Sequence, residues 1–221
     1  MQKTPPRRTT RRTTRTDGDQ TRARILDVAG ALFAAHGFAE TTGKAIAAEA
    51  EVDLASINYH FGSRKGLYQA ALAEAHRRLI KLDQLQRIAA SPVPAADKLG
   101  LLIDSLLDVA LGERGWMARL MSREVLSPTS NSRALLDAEI APKLIVVQSI
   151  LSEITGFSPG DPALFRCMVS VAAPCLMLVV AGEQAPAPLR MLIKGPRAEL
   201  SAHLRKFALA GLQAVGPQDA A

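Results

Sequence analysis

Aromatic side chains make up only 4% of this chain, and cysteine occurs twice. Scarce aromatics mean that a hydrophobic interior must be assembled from Ala, Leu, Val and Ile, and such a composition favours helices over strands. No segment alternates apolar and polar residues with period two, and no Asn-Gly or Asp-Gly pair stands between apolar runs to signal a hairpin. The two cysteines, Cys167 and Cys175, are eight positions apart. On a helix that is about 12 Å, beyond the roughly 7 Å that a disulfide can bridge between Cα atoms. They read as reduced core thiols in a reducing compartment. Zinc-type Cys/His spacings, a glycine-rich phosphate loop and an HExxH pattern are all missing. The four histidines, His36, His60, His76 and His203, have no partner spacing. No metal, cofactor or enzymatic centre is therefore expected. The longest apolar stretch, 167–182, has 16 residues and contains Pro174. A membrane span needs about 20, so this reads as a buried helix and no membrane association is expected.

What the chain does have is a formal charge of +6, unevenly placed. Lys3, Arg7, Arg8, Arg11, Arg12 and Arg15 stand in the first 16 residues without an acid, so the remainder is neutral. That arm lacks Leu, Ile, Val, Phe and Trp, cannot bury enough to offset its ordering entropy, and is expected to be disordered over 1–18. It is either a solvated extension or an arm that follows phosphates beside a DNA-reading element.

Helical periodicity predicts the rest. A first helix starts near Asp19 or Gln20, carries Ile25, Ala29, Leu32 and Phe33 inward, and ends at Gly37. Thr41 or Thr42 caps a short helix through Ala50, and Asp53 caps the next, 54–60. Gly62 and Ser63 precede one long helix over 64–90. The punctuation Ser91-Pro92-Val93-Pro94 opens a body of helices at 97–111, 116–126, 132–155 (interrupted by Pro142), 162–181 and 196–215, with a short helical turn beside Pro186 and Pro188. The expected organisation is all-α. A three-helix head at 19–68 is joined by the long helix to a body at 69–216.

Within the head, two short helices are separated by Glu51-Val52-Asp53, a tight turn with an apolar middle. Ile46, Ala47 and Ile57 can seal the hinge, and small residues at Ala47 and Ala50 permit a steep crossing. This is the spacing of a helix-turn-helix whose second helix enters the major groove. The outward residues suit that task. Leu54 and Ala55 offer apolar contact to a thymine methyl, and Ser56 and Asn58 offer hydroxyl and amide groups to base edges or phosphates. Tyr59 either packs or meets phosphate, and His60 either caps its helix or does the same. Arg64 and Lys65 provide donors for the flanking backbone.

The set Gly37-Phe38, Thr41-Thr42, Ile46-Ala47, Ala50-x-Val52, 56–61 (Ser-Ile-Asn-Tyr-His-Phe) and Lys65-x-Leu67-Tyr68 resembles the N-terminal signature of the TetR family of bacterial regulators. The run 55–63, with Glu124-x-x-Ser127-Pro128, Ile140-x-Pro142 and Asp161-Pro162, is similar to the subgroup with a CecR-type C-terminal domain. The resemblance implies a cytoplasmic homodimer that binds a near-palindromic double-stranded DNA operator and, in its body, a small-molecule effector. It places DNA contacts on Thr42, Lys44, Leu54, Ala55, Asn58, Tyr59, His60 and Lys65. Two positions depart from the usual pattern. Glu51 stands where relatives have Gly, and a left-handed backbone there costs about 1 kcal/mol. Gly43 weakens the second helix by about as much.

The resemblance also implies an effector pocket. Trp116, Met117, Leu120, Met121 and Glu124 on one helix, with Met168, Cys175 and Met177 on a later one, are candidates for an adaptable apolar lining or for ordinary core. For the dimer, Val169, Ala172, Ala173 and Leu176 on helix 162–181 recur at helical spacing. So do Leu200, Leu204, Phe207, Ala208 and Gly211 on helix 196–215. Together they form the expected four-helix interface. The predicted function is a sequence-specific repressor that releases its operator on binding a mainly apolar compound. A non-specific DNA-coating protein would share the basic arm, but not the neutral body with its large apolar interior.

Overall fold

The computed structural model describes residues 10–112, 115–129, 135–181 and 186–217, all helix, turn or loop, with no strand among them. The first nine residues of the basic arm, and Ser132, where the segment to Thr155 was expected to begin, lie outside the described residues. The chain divides into two compact units, Met1–Ala71 and Leu72–Ala221.

The first unit holds α1 (Thr10–Glu40), α2 (Gly43–Glu49), α3 (Leu54–Phe61) and the start of α4 (Arg64–Leu79). Helix α1 begins earlier than Asp19, inside the stretch expected to be disordered. No proline interrupts it after Thr10, and arginine is a good helix former. Its regular course breaks at Gly37, whose φ of 83° is open to glycine at little steric cost. Thr41 locks the exit. It is buried, and its Oγ1 donates to the Gly37 carbonyl at 2.7 Å. The core joins Ile25, Ala29 and Phe33 of α1 to Ile46, Ile57, Leu67 and Tyr68. Tyr68 meets Phe33 edge-on at 4.8 Å and lies 5.0 Å from Phe38, a favourable aromatic geometry.

The second unit contains the remainder of α4, then α5 (Leu82–Ala89), α6 (Ala95–Leu111), α7 (Trp116–Leu126) and a π-helical turn (Leu136–Ile140). After these come α8 (Ala141–Thr155), α9 (Pro162–Ala181), α10 (Ala187–Lys194) and α11 (Arg197–Val215). The single helix expected over 64–90 is in fact two. The amide of Ile80 donates to the His76 carbonyl at 3.1 Å, Lys81 turns to extended backbone (φ −81°, ψ 122°), and α5 starts after it. No Pro or Gly marks the break. Its stabilising partner is 67 residues away, where the buried Lys143 ammonium donates to the His76 carbonyl at 3.1 Å. That cation supplies the end of α4 with the charge and donor that helix C-termini attract.

The π-helical turn precedes Pro142, whose ring has no N–H and clashes with a regular preceding turn. There the Ala141 amide reaches back five residues to the Leu136 carbonyl. The core of the unit is formed by α6, α8, α9 and α11. Leu99, Ile103 and Leu107 pack with Leu151, with Leu164, Met168 and Val171, and with Leu212. Ions fasten its outside. Lys98 bridges Glu153 at 2.8 Å, Arg205 pairs with Asp104, and Arg197 pairs with Asp108 at 2.6 Å. Gly100 admits the Arg205 guanidinium, since a Cβ there would lie 2.9 Å from it.

Helix α9 is long and apolar enough to cross a membrane by length and composition, and it is the one such helix among the described residues. It is instead a central packing helix. Leu164, Cys167, Met168, Val171, Cys175 and Leu178 are buried along one side, while Phe165, Val169, Leu176 and Met177 stay exposed on the other.

Candidate functional site

Helices α2 and α3 meet across the turn anticipated from the sequence. Thr42, rather than Thr41, is the N-cap of α2, with its hydroxyl accepting from the Ala45 amide at 3.1 Å. Asp53 caps α3. Its Oδ1 accepts from the Ser56 amide at 2.7 Å and from the Ser56 hydroxyl at 2.6 Å, and these bonds hold its carboxyl below the usual range. Ser56 is therefore occupied by the cap. Ile57 is fully buried, and Arg22 covers Phe61 at 5.0 Å. Gly43 has a packing reason, because a Cβ there would press Leu54 Cδ1 at 3.1 Å. Glu51 carries φ 51°, the one positive φ at a non-glycine residue among the described residues.

With Ile57 inward, the opposite face of α3 is open. Tyr59 is 85% exposed, its ring edge-on to His60 at 5.0 Å. Ala55 and Asn58 are exposed, as are Thr42, Lys44 and Lys65, while His60 is half-buried. Leu54 is 43% exposed. Arg64 departs from the sequence expectation. Its Nη1 donates to the carbonyls of Phe38 at 2.8 Å and Thr41 at 2.7 Å, and its guanidinium lies 4.2 Å over the Phe38 ring. Its Nη1 thereby fastens the α1–α2 loop.

The second unit contains a partly open chamber of about 310 Å³, at the lower end of the range typical for small-molecule sites. Its wall is aliphatic. It runs from Leu79, Ile80 and Leu85 through Leu102, Leu106 and Val109 to Met121, Leu144, Val147, Met168, Val171, Cys175 and Val179. Its polar wall residues are His76, Lys81, Gln84, Ser105, Ser122 and Lys143. Gln84 donates to Ser105 Oγ at 3.0 Å, and Ser122 donates to the carbonyls of Ala118 and Val179. Lys143 Nζ lies 2.7 Å from His76 Nδ1, which accepts as the neutral imidazole. Burial, reinforced by the Lys143 charge, pushes His76 down to about 4. Burial also lowers Lys143, against the opposing pull of Glu139, whose Oε2 is 4.0 Å away. Burial raises the Cys175 thiol to about 11.

Of the residues proposed from sequence for a pocket, Met121, Met168 and Cys175 line this chamber. Trp116, Met117, Leu120 and Glu124 do not. Leu120 is fully buried in core, Trp116 and Met117 are half-buried, and Met177 is exposed. The Glu124 carboxylate accepts from the Thr129 amide at 2.8 Å and from its hydroxyl at 3.0 Å, organising the turn after α7.

Residues 25–71 match the family model "Bacterial regulatory proteins, tetR family", and residues 95–215, over half of the chain, match the C-terminal domain of the HTH-type transcriptional dual regulator CecR. The chain belongs to the TetR family, with a CecR-type C-terminal domain. It is similar to the dual regulator CecR of Shigella flexneri, at 26% identity over 156 residues, 65% of this chain and 69% of that protein. Among solved structures, a transcriptional regulator of Pseudomonas aeruginosa PAO1 matches with a TM-score of 0.70 at 18% identity, covering 93% of this chain and 96% of that one. The multidrug binding protein EbrR, complexed with imidazole, matches with a TM-score of 0.57 at 23% identity, over 98% and 100% of the two chains. The protein is thus a DNA-binding TetR-family transcriptional regulator.

In this TetR-family regulator the sequence reading missed His76 and Lys143. A signal was present. Lys143 falls on the apolar stripe of Val147, Ile150, Leu151 and Ile154, and His76 on that of Leu72 and Leu79. A charged residue in a buried register asks for a partner, and the partner of each is the other.

Proposed function

We propose that this regulator is a repressor that releases a palindromic operator when a small, mainly apolar effector fills the chamber of its second unit. The observation that carries the reading is the aliphatic chamber beside the end of α4, the helix that follows α3 directly in the chain. An occupant that binds one state of the body better than another shifts the population of states by that difference in affinity. Thr42, Lys44, Leu54, Ala55, Asn58, Tyr59, His60 and Lys65 are the proposed DNA contacts. Met121, Met168 and Cys175 are proposed effector contacts. The basic arm, +6 over its first 16 residues, is proposed to follow phosphates.

Homodimerisation is proposed through α9 and α11, in the cytoplasm. Val169, Ala173, Leu176, Phe207 and Gly211 are exposed along these helices, and Phe207 at 71% is a large ring to leave in water. A hollow lined by Arg166, Ser170, Phe207 and Val215 runs beside them. Leu200, Leu204 and Ala208 pack instead against the core of their own unit. Titrating the full chain against selected genomic duplexes, by fluorescence anisotropy at fixed salt, tests the proposal. Specific duplexes should bind far more tightly than random ones, and saturating effector should release them. Equal affinity for random DNA, or an operator affinity indifferent to a saturating chamber ligand, refutes it.

A further inference from the structure

Among the described residues, the charges on the chamber wall have one sign: Lys81 and Lys143 line it, and no Asp or Glu does. Nor does an aromatic ring, so the wall offers no stacking platform and no π face to attract a cation. Apart from His76, Lys81, Gln84, Ser105, Ser122 and Lys143, the side chains that line the hollow are Leu, Ile, Val, Met, Ala and Cys, suited to a flexible saturated chain.

Lys143 is the buried member of the pair. Its ammonium has three N–H groups. His76 receives from it at Nδ1, 2.7 Å away, and at its carbonyl, 3.1 Å away. The nearest carboxylate, Glu139, stands at 4.0 Å, beyond hydrogen-bond reach. Glu139 is moreover held by Arg77, whose Nη2 lies 2.9 Å from its Oε1. Among the described residues, the counter-charge near Lys143 is therefore shared with a second cation. An imidazole and a carbonyl solvate the ammonium without neutralising it. A buried charge so placed gains from a ligand that brings an anion beside it.

We propose that the chamber takes an aliphatic molecule ending in one acidic group, with the chain along the Leu, Val and Met wall and the anion on Lys143. This rests on the reading of the chamber as the effector site and names the chemistry of the effector. Neutral His76 accepts from Lys143 and leaves it free to reorient toward the incoming anion. A ligand with a cationic head would meet the buried Lys143 ammonium and, among the described residues of the wall, no acid to offset it.

The test uses the full-length protein and two probes of equal chain length, sodium decanoate and decan-1-ol, titrated calorimetrically near neutral pH, where the carboxylate is ionised. Decanoate should bind at least about tenfold more tightly, the advantage of a charge-assisted hydrogen bond. Lys143→Met should remove that advantage and bring decanoate to the affinity of decan-1-ol, and its far-UV circular dichroism and urea melting show whether the variant is folded. Lys143→Arg should keep the preference. Equal affinity of the two probes for the wild-type protein, or a preference that survives Lys143→Met, overturns the acidic-group assignment while the effector chamber stands. Binding of neither probe overturns both.

Discussion

The buried pair of His76 and Lys143 should make the protein acid-sensitive in a window that can be worked out in advance. His76 has an ordinary pKa of 6.5 and is held at about 4 in the fold, first by burial and then by the Lys143 charge, with Glu139 opposing. Between those values the unfolded chain binds a proton at His76 that the folded chain refuses. Stability from this group is therefore complete above 6.5 and declines as pH falls through the window. It is fully lost once pH is below the folded value. At about 1.4 kcal/mol for each tenfold change in acidity, the whole interval is worth about 3 kcal/mol, of which about 1.4 kcal/mol is gone by about pH 5.5. Against the 5–15 kcal/mol typical of a domain, the loss is measurable. His76→Gln keeps an acceptor for Lys143 but takes up no proton. Urea denaturation of both proteins between about pH 7.5 and 4.5, followed by circular dichroism, should show the wild type losing stability faster, with the divergence opening below about pH 6.5. Carboxylates away from His76 titrate alike in both chains and cancel in the difference. Parallel curves, or a His76 ring resonance that titrates near 6.5, would refute the reasoning.

Three further outcomes are expected. Glu51→Gly relieves a left-handed backbone at φ 51° and should stabilise the first unit by about 1 kcal/mol; thermal melting that does not rise argues against strain there. Arg64→Ala removes two charge-assisted bonds to the Phe38 and Thr41 carbonyls and a ring contact, and should cost about 2–3 kcal/mol. Hydrogen exchange near residues 37–42 should quicken, and a variant that loses DNA affinity at unchanged stability would contradict the structural role. Tyr59→Ala touches a ring that is 85% exposed, so the melting temperature should hold while operator affinity falls by about 1–2 kcal/mol; unchanged affinity removes Tyr59 from the DNA face.

The head was legible because its determinants are local. Thr42 and Asp53 cap helices three residues ahead of the amides they satisfy, and Ile46 and Ile57 repeat at helical spacing. Even the strain at Glu51 could be anticipated, since turn geometry and residue type conflict within a single position. The errors were non-local. The joint between α4 and α5 depends on Lys143 reaching the His76 carbonyl from 67 residues away, and nothing within 64–90 encodes a stop. Arg64 stands at a helix start beside the DNA face, but the carbonyls that its Nη1 meets lie 23 and 26 residues earlier, a structural role its local sequence does not show. Of the eight pocket candidates only Met121, Met168 and Cys175 line the chamber, for the same reason. Methionine flags an adaptable surface without saying which way a helix turns, so Met121 lines the chamber and Met117, on the same helix, does not.

The π-helical turn at Leu136–Ile140 makes the placement of Lys143 a matter of residue count as well as residue type. A turn closed five residues apart contains one more residue than a regular one, and each residue rotates the following helix by about 100°. Shortening that turn by a single residue would swing Lys143 off the His76 side of α8 and carry a neighbouring side chain into its place, with the composition of the helix untouched. Relatives that share the fold can therefore differ in the charge facing the chamber through one insertion or deletion rather than through substitution. Their alignment around Pro142 is where such a change of ligand preference would be recorded.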